Sequence, residues 1–551
     1  MLNAIVTIER PQSETTLAYG PGSPERRRIS AALNELRSNE IEIPLIIGGR
    51  EVKTGKTTAC IVPHDHRHRL AVYHLAGPKE TTMAVEAAHE ASSAWASMAW
   101  ADRLAVFLKA ADLIAGPHRM RINAATMLGQ GKNVYQAEID AACESADFLR
   151  FYCWNAARLF GLQPFSSAGV WNQLEYRPLE GFVFAISPFN FTALGVNLAA
   201  APALLGNTVI WKPASAAVYS AYHLMQVFQE AGLPDGIINF LPGPGSQVGP
   251  ILLKHPELAG VHFTGSTKVF REIWKTVGAN IDHYRNYPRL VGETGGKDFV
   301  FAHPSADPQA VAVALVRGAF EYQGQKCSAA SRAYIPKSIW KSLKGLLLEM
   351  IGSIRVGPPE DFAHFVNAVI DKAAFDKIVS YIEVARKSPD AEIIAGGTYD
   401  DRTGYFIHPT IILAGKPDFI TMVEEIFGPV LTLFVYDDDR YEETLRLCDR
   451  TSPYALTGSI FARDRDAIVT AKRALLNAAG NFYINDKPTG AMIGQQPFGG
   501  SRSSGTNDKA GTLLNLVRWV SPRTIKETFV PATDYRYPFM ESEESTEAEA
   551  E

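Results

Sequence analysis

The hydrophobic pattern is densest between Gly181 and Trp211, where GFVFAISPFNFTALGVNLAAAPALLGNTVIW carries no charged residue. A run of that length would cross a bilayer, but Pro188, Asn190, Asn197, Pro202, Gly206 and Asn207 interrupt it where element boundaries belong. It therefore predicts a buried strand (GFVFAIS), a covered helix (TALGVNLAAAPALLG) and a second buried strand (NTVIWKP). Strands of a parallel sheet read as continuous apolar runs because helices cover both faces. The rhythm continues downstream. AYHLMQVFQEAGL predicts an amphipathic helix ending at Gly232, GIINFLPG a strand, SQVGPILLKH a helix and LAGVHFTGS a strand. Residues 80–160 read as mostly helical. After Gly295 a second series offers FVFAH, AYIPK, EIIAGG, TIILA, VLTLFVY and SIFAR as strands, with helices between them. Such alternation predicts doubly wound parallel sheets, here in two α/β domains that meet near residue 293.

Composition narrows the function classes. A chain of 551 residues exceeds what one core usually supports, and 46% apolar with 21% charged residues is ordinary for a globular protein. The net charge of −5 gives no electrostatic footprint for nucleic acid or an anionic membrane, so a small-molecule partner is expected. The five cysteines (Cys60, Cys143, Cys153, Cys327, Cys448) are scattered and form no CxxC pair. Neither a disulfide framework nor a cysteine zinc site follows. The opening MLNAIVTIERPQSETT lacks an apolar secretory core, and Glu9 and Glu14 argue against a transit peptide. The final MESEESTEAEAE is acidic and reads as a disordered tail over 538–551.

Several residues carry possible chemistry. Cys327, in EYQGQKCSAASR, is followed by small residues that leave room for a substrate, and a thiolate attacks carbonyl carbon well. Neighbouring cationic or backbone dipoles would lower its pKa; a packed core thiol is the bland alternative. Glu293, in LVGETGGKDF, lies between glycines at the end of an apolar strand, where desolvation would raise its pKa into general-base range. Asn190, in SPFNF, follows a strand at the position where α/β sheets place ligand groups, and its amide would suit an oxyanion; a turn or cap residue is the alternative. LPGPGSQVG supplies Gly243, Gly245 and Gly249, one residue longer than the dinucleotide fingerprint. In FTGSTKVF, Gly265 and Ser266 open a helix whose N–H groups would hold a pyrophosphate. His64, His66, His68 and His74 invite a metal reading, but no cysteine joins them, and Asp65 with the arginines suggests an exposed edge. No metal is expected.

Taken together, SPFNF, WKPA, FTGS, GETGGK, GQKCSA, EEIFGPV and QQPFGG resemble the aldehyde dehydrogenase superfamily in order and spacing, from about residue 40 to 530. PFNF, GETGGKDF, EYQGQKCSAASR, NAAGNFYINDK and GQQPFGGSRSSGTNDK, with the N-terminal AYGPGSPERR, are most similar to its Δ1-pyrroline-5-carboxylate (glutamate γ-semialdehyde) dehydrogenase branch. The resemblance implies two doubly wound domains plus a β-hairpin and C-terminal strand for oligomerisation. The expected boundaries are an N-terminal arm at 1–45, an NAD-binding domain at 46–163 and 181–292, a catalytic domain at 293–511, and oligomerisation strands at 164–180 and 512–533. VWNQLEYRPLEG and LVRWVSPRTIKETF have the alternation expected of those paired strands, so a swapped homodimer is the expected minimum assembly.

The resemblance also implies roles. Cys327 would be the nucleophile, Asn190 with the Cys327 N–H the oxyanion site, and Glu293 the activator of hydrolytic water. Ser187 and Lys212 would meet the adenosine ribose, Gly265 and Ser266 the pyrophosphate with Thr267, Lys268 and Val269 beside them, and Glu425 the nicotinamide ribose. NAD is the expected cofactor, although Ser215, where NAD-preferring members often carry an acid, leaves NADP use open. Ser328, Gly490 and Ala491 would hold the substrate carboxylate, Phe191 and Phe498 its aliphatic stem, and Glu144 its ammonium. Members of the branch often have serine where this chain has Ala491. The implied reaction is NAD-dependent oxidation of L-glutamate 5-semialdehyde to glutamate, the second step of proline breakdown, in the mitochondrial matrix, with the cytoplasm as the alternative. The competing readings are a paralogue acting on another amino or carboxylated aldehyde, and a catalytically silent scaffold.

Overall fold

A computed structural model describes residues 6–540. The first seven-stranded sheet runs, in spatial order, Arg289–Glu293, Leu258–Thr264, Phe182–Ser187, Thr208–Pro213, Ile238–Phe240, Leu45–Ile47 and Arg50–Val52. Its first five strands are parallel, and the last two pair antiparallel. Every residue of the helix Thr192–Leu204 is buried against it, which explains the uncharged run in the sequence. The helix Val218–Ala231 stops at Gly232, whose positive φ of 92° terminates it at no steric cost. Chain order reverses between Phe182–Ser187 and Leu258–Thr264. Ligands of open α/β sheets bind at such a switch, beyond the carboxyl ends of the strands.

The second seven-stranded sheet runs Ala391–Ala395, Thr410–Ala414, Val430–Tyr436, Ala330–Pro336, Asp298–Ala302, Thr457–Phe461 and Asn481–Ile484. All six expected strands form, and all pairs are parallel except the one made by Ala391–Ala395. Asn481–Ile484 was not anticipated, being too short beside Gly480 to stand out as an apolar run. The helices Pro78–Ser97, Trp100–Ala115, Arg119–Gln130 and Ser145–Phe160 fill the predicted helical region, with π-helical geometry at Glu138–Glu144. Val170–Pro178 and Val520–Thr528 pair antiparallel along their whole length as a ribbon, its first strand mostly half-buried and its second mostly exposed.

Two expectations need correction. The histidine segment is not an exposed edge. Asp65–His74 is the central strand between Ile41–Ile43 and Thr57–Val62, and Leu70, Ala71 and Tyr73 draw its second half into the core. His64 and His74 are buried and bond Glu360 and Glu42, at 3.1 and 2.8 Å, while His66 bonds the Asp401 carbonyl. Pro538–Met540, expected to be part of a disordered tail, forms a short 3₁₀ turn; the rest of that expected tail, residues 541–551, lies outside the described residues. Among the described residues no helix is long and apolar enough to cross a membrane.

Candidate active site

Parallel strand ends place the candidate residues. Ser187, Lys212 and Glu293 end, or nearly end, neighbouring strands of the first sheet, and Gly265 directly follows a fourth. The carboxyl-terminal segment clamps the Glu293 strand: Thr506 N–H donates to the Gly292 carbonyl and Thr294 N–H to the Ser504 carbonyl, both at 2.9 Å. Each glycine of GETGG permits one close approach. A Cβ on Gly292 would strike the Phe270 ring, one on Gly295 the Glu425 carboxylate, and one on Gly296 the Cys327 carbonyl oxygen. The motif thus brings a helix, a distant carboxylate and the cysteine loop onto one turn.

Cys327 is the one cysteine of the five that is not fully buried. Its Sγ lies 3.8 Å from Glu293 Oε1, and both line a cavity of about 750 Å³. Burial pushes the Glu293 carboxyl up to about 7, as its setting suggested. The thiol departs from expectation. Burial, then the nearby Glu293, raise its pKa well above the usual thiol value. Lys326 brings no relief, because its ammonium pairs with Glu321 at 3.1 Å. The resting pair is a neutral thiol beside a carboxyl group positioned to take its proton.

Asn190 is buried next to the cavity-lining Phe191, and its amide donates to the Gln325 carbonyl at 3.1 Å, two residues before Cys327. The cavity collects all the substrate-side candidates: Glu144, Phe191, Ser328, Gly490, Ala491 and Phe498. Ser328 Oγ lies 2.8 Å from Thr489 Oγ1. Burial first, then Asp140, hold the Glu144 carboxyl well above its usual range, so a cation entering beside it would promote its ionisation. Sequence reasoning missed Lys487 and Asp147. Lys487 lines the cavity, its Nζ 3.5 Å from where a Gly490 Cβ would stand, and the signal was its place in NDKPTG just ahead of the anchor loop. Asp147 also lines it, accepts the Glu14 N–H at 2.8 Å and is pushed up to about 7 by burial. No local pattern singles it out.

The cofactor-side candidates are spread along the strand ends. Ser187 Oγ accepts from the Trp211 indole at 2.9 Å. Lys212 is buried, donates to the Pro213 carbonyl, stands beside Gly245, and is pushed down to about 8 by burial. Ser266 caps the helix Thr267–Ala279 by accepting from Val269 N–H, leaving Lys268 and Val269 exposed on its first turn. Thr267 donates to the Ser503 carbonyl at 3.2 Å. Gly265 N–H donates to the Glu293 carbonyl at 3.1 Å. Glu425 accepts the Gly296 N–H at 2.9 Å and is raised by burial. The glycines of LPGPGSQVG divide: Gly243 packs on the Ala76 backbone, Gly245 faces Lys212, and Gly249 faces open space. Only one of the three adjoins the cofactor-side candidates.

A thiol and a carboxyl group lining one cavity, with a buried amide bonded to the thiol's loop, at the reversal of a parallel sheet, make the arrangement that an aldehyde-oxidising class of site requires. The chain belongs to the aldehyde dehydrogenase family, whose pattern matches residues 51–523. It is 54% identical over 540 residues to the mitochondrial delta-1-pyrroline-5-carboxylate dehydrogenase of Dictyostelium discoideum, covering 98% of this chain and 97% of that one. To the human mitochondrial protein of that name it is 49% identical over 530 residues, covering 96% of this chain and 94% of that one. The crystal structure of the Mycobacterium tuberculosis delta-pyrroline-5-carboxylate dehydrogenase bound with NAD matches with a TM-score of 0.95 at 51% identity, over 98% of this chain and all of that one. The α/β architecture expected from the sequence is the one these proteins share.

Proposed function

We propose that the chain oxidises L-glutamate 5-semialdehyde, the open form of Δ1-pyrroline-5-carboxylate, to L-glutamate with NAD. The observation that carries this reading is the cavity. Cys327 and Glu293 share it with the Gly490–Ala491 loop and Lys487, suited to a carboxylate, and with the acid Glu144, suited to an ammonium. A zwitterionic amino aldehyde would satisfy both while presenting its carbonyl to sulfur.

Glu293 takes the Cys327 proton, sulfur bonds to the aldehyde carbon, and the carbonyl oxygen becomes an alkoxide. The Asn190 amide has one N–H committed to Gln325 and a second to offer that oxygen. Preorganised donors of this kind are worth about a hundredfold or more in rate. Bound NAD supplies the acceptor for the hydride that leaves the carbon. The thioester left on Cys327 is hydrolysed when Glu293, having returned its first proton to solvent, draws a proton from water. The attack releases the thiolate and the carboxylic acid.

The residues fit a dinucleotide. The open first turn after Ser266 presents N–H groups for a diphosphate, with Lys212 and Ser187 on neighbouring strand ends and Glu425 near Glu293. The first sheet with its helices would carry the cofactor and the second the nucleophile. The ribbon of Val170–Pro178 and Val520–Thr528 would pair subunits as at least a dimer, and the mitochondrial matrix is the compartment we assign, in keeping with the relatives named mitochondrial. Ala491 motivates a second reading, a different carboxylated or amino aldehyde, which a panel of aldehydes ranked by kcat/KM separates. The deciding assay is NADH formation from Δ1-pyrroline-5-carboxylate: the wild-type chain produces it, and activity that survives in Cys327→Ala overturns the assigned nucleophile.

A further inference from the structure

We propose that Lys132 is a positioning residue whose buried ammonium holds the Asn190 amide in register with the Gln325 carbonyl that receives it. Lys132 is fully buried, and its Nζ meets three partners. It donates to Asp140 Oδ2 at 2.6 Å, and it stands 4.0 Å from the ring centre of Phe191 and 4.4 Å from that of Tyr322.

The first two contacts fix the amide. Phe191 is the N-cap of the helix Thr192–Leu204 and has no side-chain acceptor to give it. The Asp140 carboxylate serves instead, accepting the N–H groups of Thr192 and Ala193, both at 2.9 Å. Asn190 immediately precedes this anchored start.

The third contact fixes the backbone that receives the amide. Tyr322, Gln323 and Gly324 adopt left-handed backbone in succession, with φ of 51°, 55° and 66°. Residues with side chains persist there only when their surroundings enforce it. Gln323 is held by the carbonyls of Gly131 and Ala368, at 2.7 and 2.8 Å, and Tyr322 by its stack on Lys132. Gln325, next in line, receives the Asn190 amide, and Cys327 follows. One cation is therefore common to the anchor of the amide and to the turn that receives it. A buried ion pair is poor evidence for added stability, whereas fixing one arrangement among several is a role such pairs can fill.

The test borrows only its assay from the proposed reaction, so absence of wild-type turnover would sink that reaction and leave the alkylation readout standing. Lys132→Met/Asp140→Asn removes both charges together. The expected result is a folded, NAD-binding protein whose kcat falls about a hundredfold while iodoacetamide alkylation of Cys327, which develops no oxyanion, stays within about twofold. The discriminating readout is a double-mutant cycle. Asn190→Ala costs about a hundredfold in the wild-type background but less than about threefold once the ammonium is gone. Multiplicative losses, wild-type kcat in the folded variant, or alkylation lost in step with kcat would each overturn the proposal. If that variant does not fold, Tyr322→Leu leaves the ion pair intact and is expected to lower kcat about tenfold with unchanged KM for NAD; unchanged kcat there also overturns it.

Discussion

Cys327 and Glu293 share one proton-transfer problem: burial raises both, so the sulfur needs the carboxylate and the carboxylate needs a pH above its own pKa. With Glu293 pushed up to about 7, its protonated fraction grows below that value. Single-turnover thioester hydrolysis should therefore rise about tenfold per pH unit below 7 and level off above it. Glu293→Gln should abolish that limb and slow hydrolysis by about a hundredfold or more; a pH profile unchanged in the variant would contradict the assignment. At the other end of the cavity, Lys487→Met should raise KM for the carboxylated substrate about tenfold while leaving kcat and the KM of an uncharged aldehyde of similar length unchanged. Steady-state kinetics on the two substrates checks this. Equal effects on both would mean that the ammonium supports the loop rather than the ligand.

Turns after strands do at the element scale what single side chains cannot. The three glycines of GETGG admit three different neighbours, so substitution at adjacent positions should give different phenotypes. Gly295→Ala presses on the end of the Glu425 side chain, which can move aside; KM for NAD should rise severalfold with little change in Tm. Gly296→Ala presses on the Cys327 backbone carbonyl, which cannot. It should lower kcat and cost about 2 kcal/mol or more of stability, visible together in thermal melts and turnover. Identical behaviour of the two variants would refute this division. Main elements were legible because covered strands and amphipathic helices leave period and composition signals. Asn481–Ile484 was not, and neither was the burial of His64 and His74, because neighbours remote in sequence supply the partners that cover them.

For the whole molecule, the ribbon is the feature that a single chain does not explain. Val170–Pro178 and Val520–Thr528 satisfy one another's backbone but leave Trp171, Phe529 and Val530 in solvent, with Phe165 nearly wholly exposed beside them. Exposed apolar side chains gathered on one ribbon suit the subunit interface proposed for it. Sedimentation of the full chain should give a dimer or larger assembly, and removal of residues 520–540 should yield smaller species. An unchanged sedimentation coefficient per subunit composition would show that subunits meet elsewhere.

Several things were determined by the sequence alone: the α/β class, the ends of its buried strands, and the identity of a cysteine, a carboxylate and an amide in family-like surroundings. These are local signals, carried by apolar period, by helix and turn residues, and by short motifs. Tertiary structure alone decided that burial holds the thiol protonated, that Lys326 is spent on Glu321, that Lys487 faces the anchor loop, and that one buried ammonium meets Asp140, Phe191 and Tyr322. Desolvation and charge pairing depend on which groups lie within a few ångströms, and a short motif does not state that, whether the partner is near in the chain, as Glu321 is to Lys326, or on another element, as Tyr322 is to Lys132.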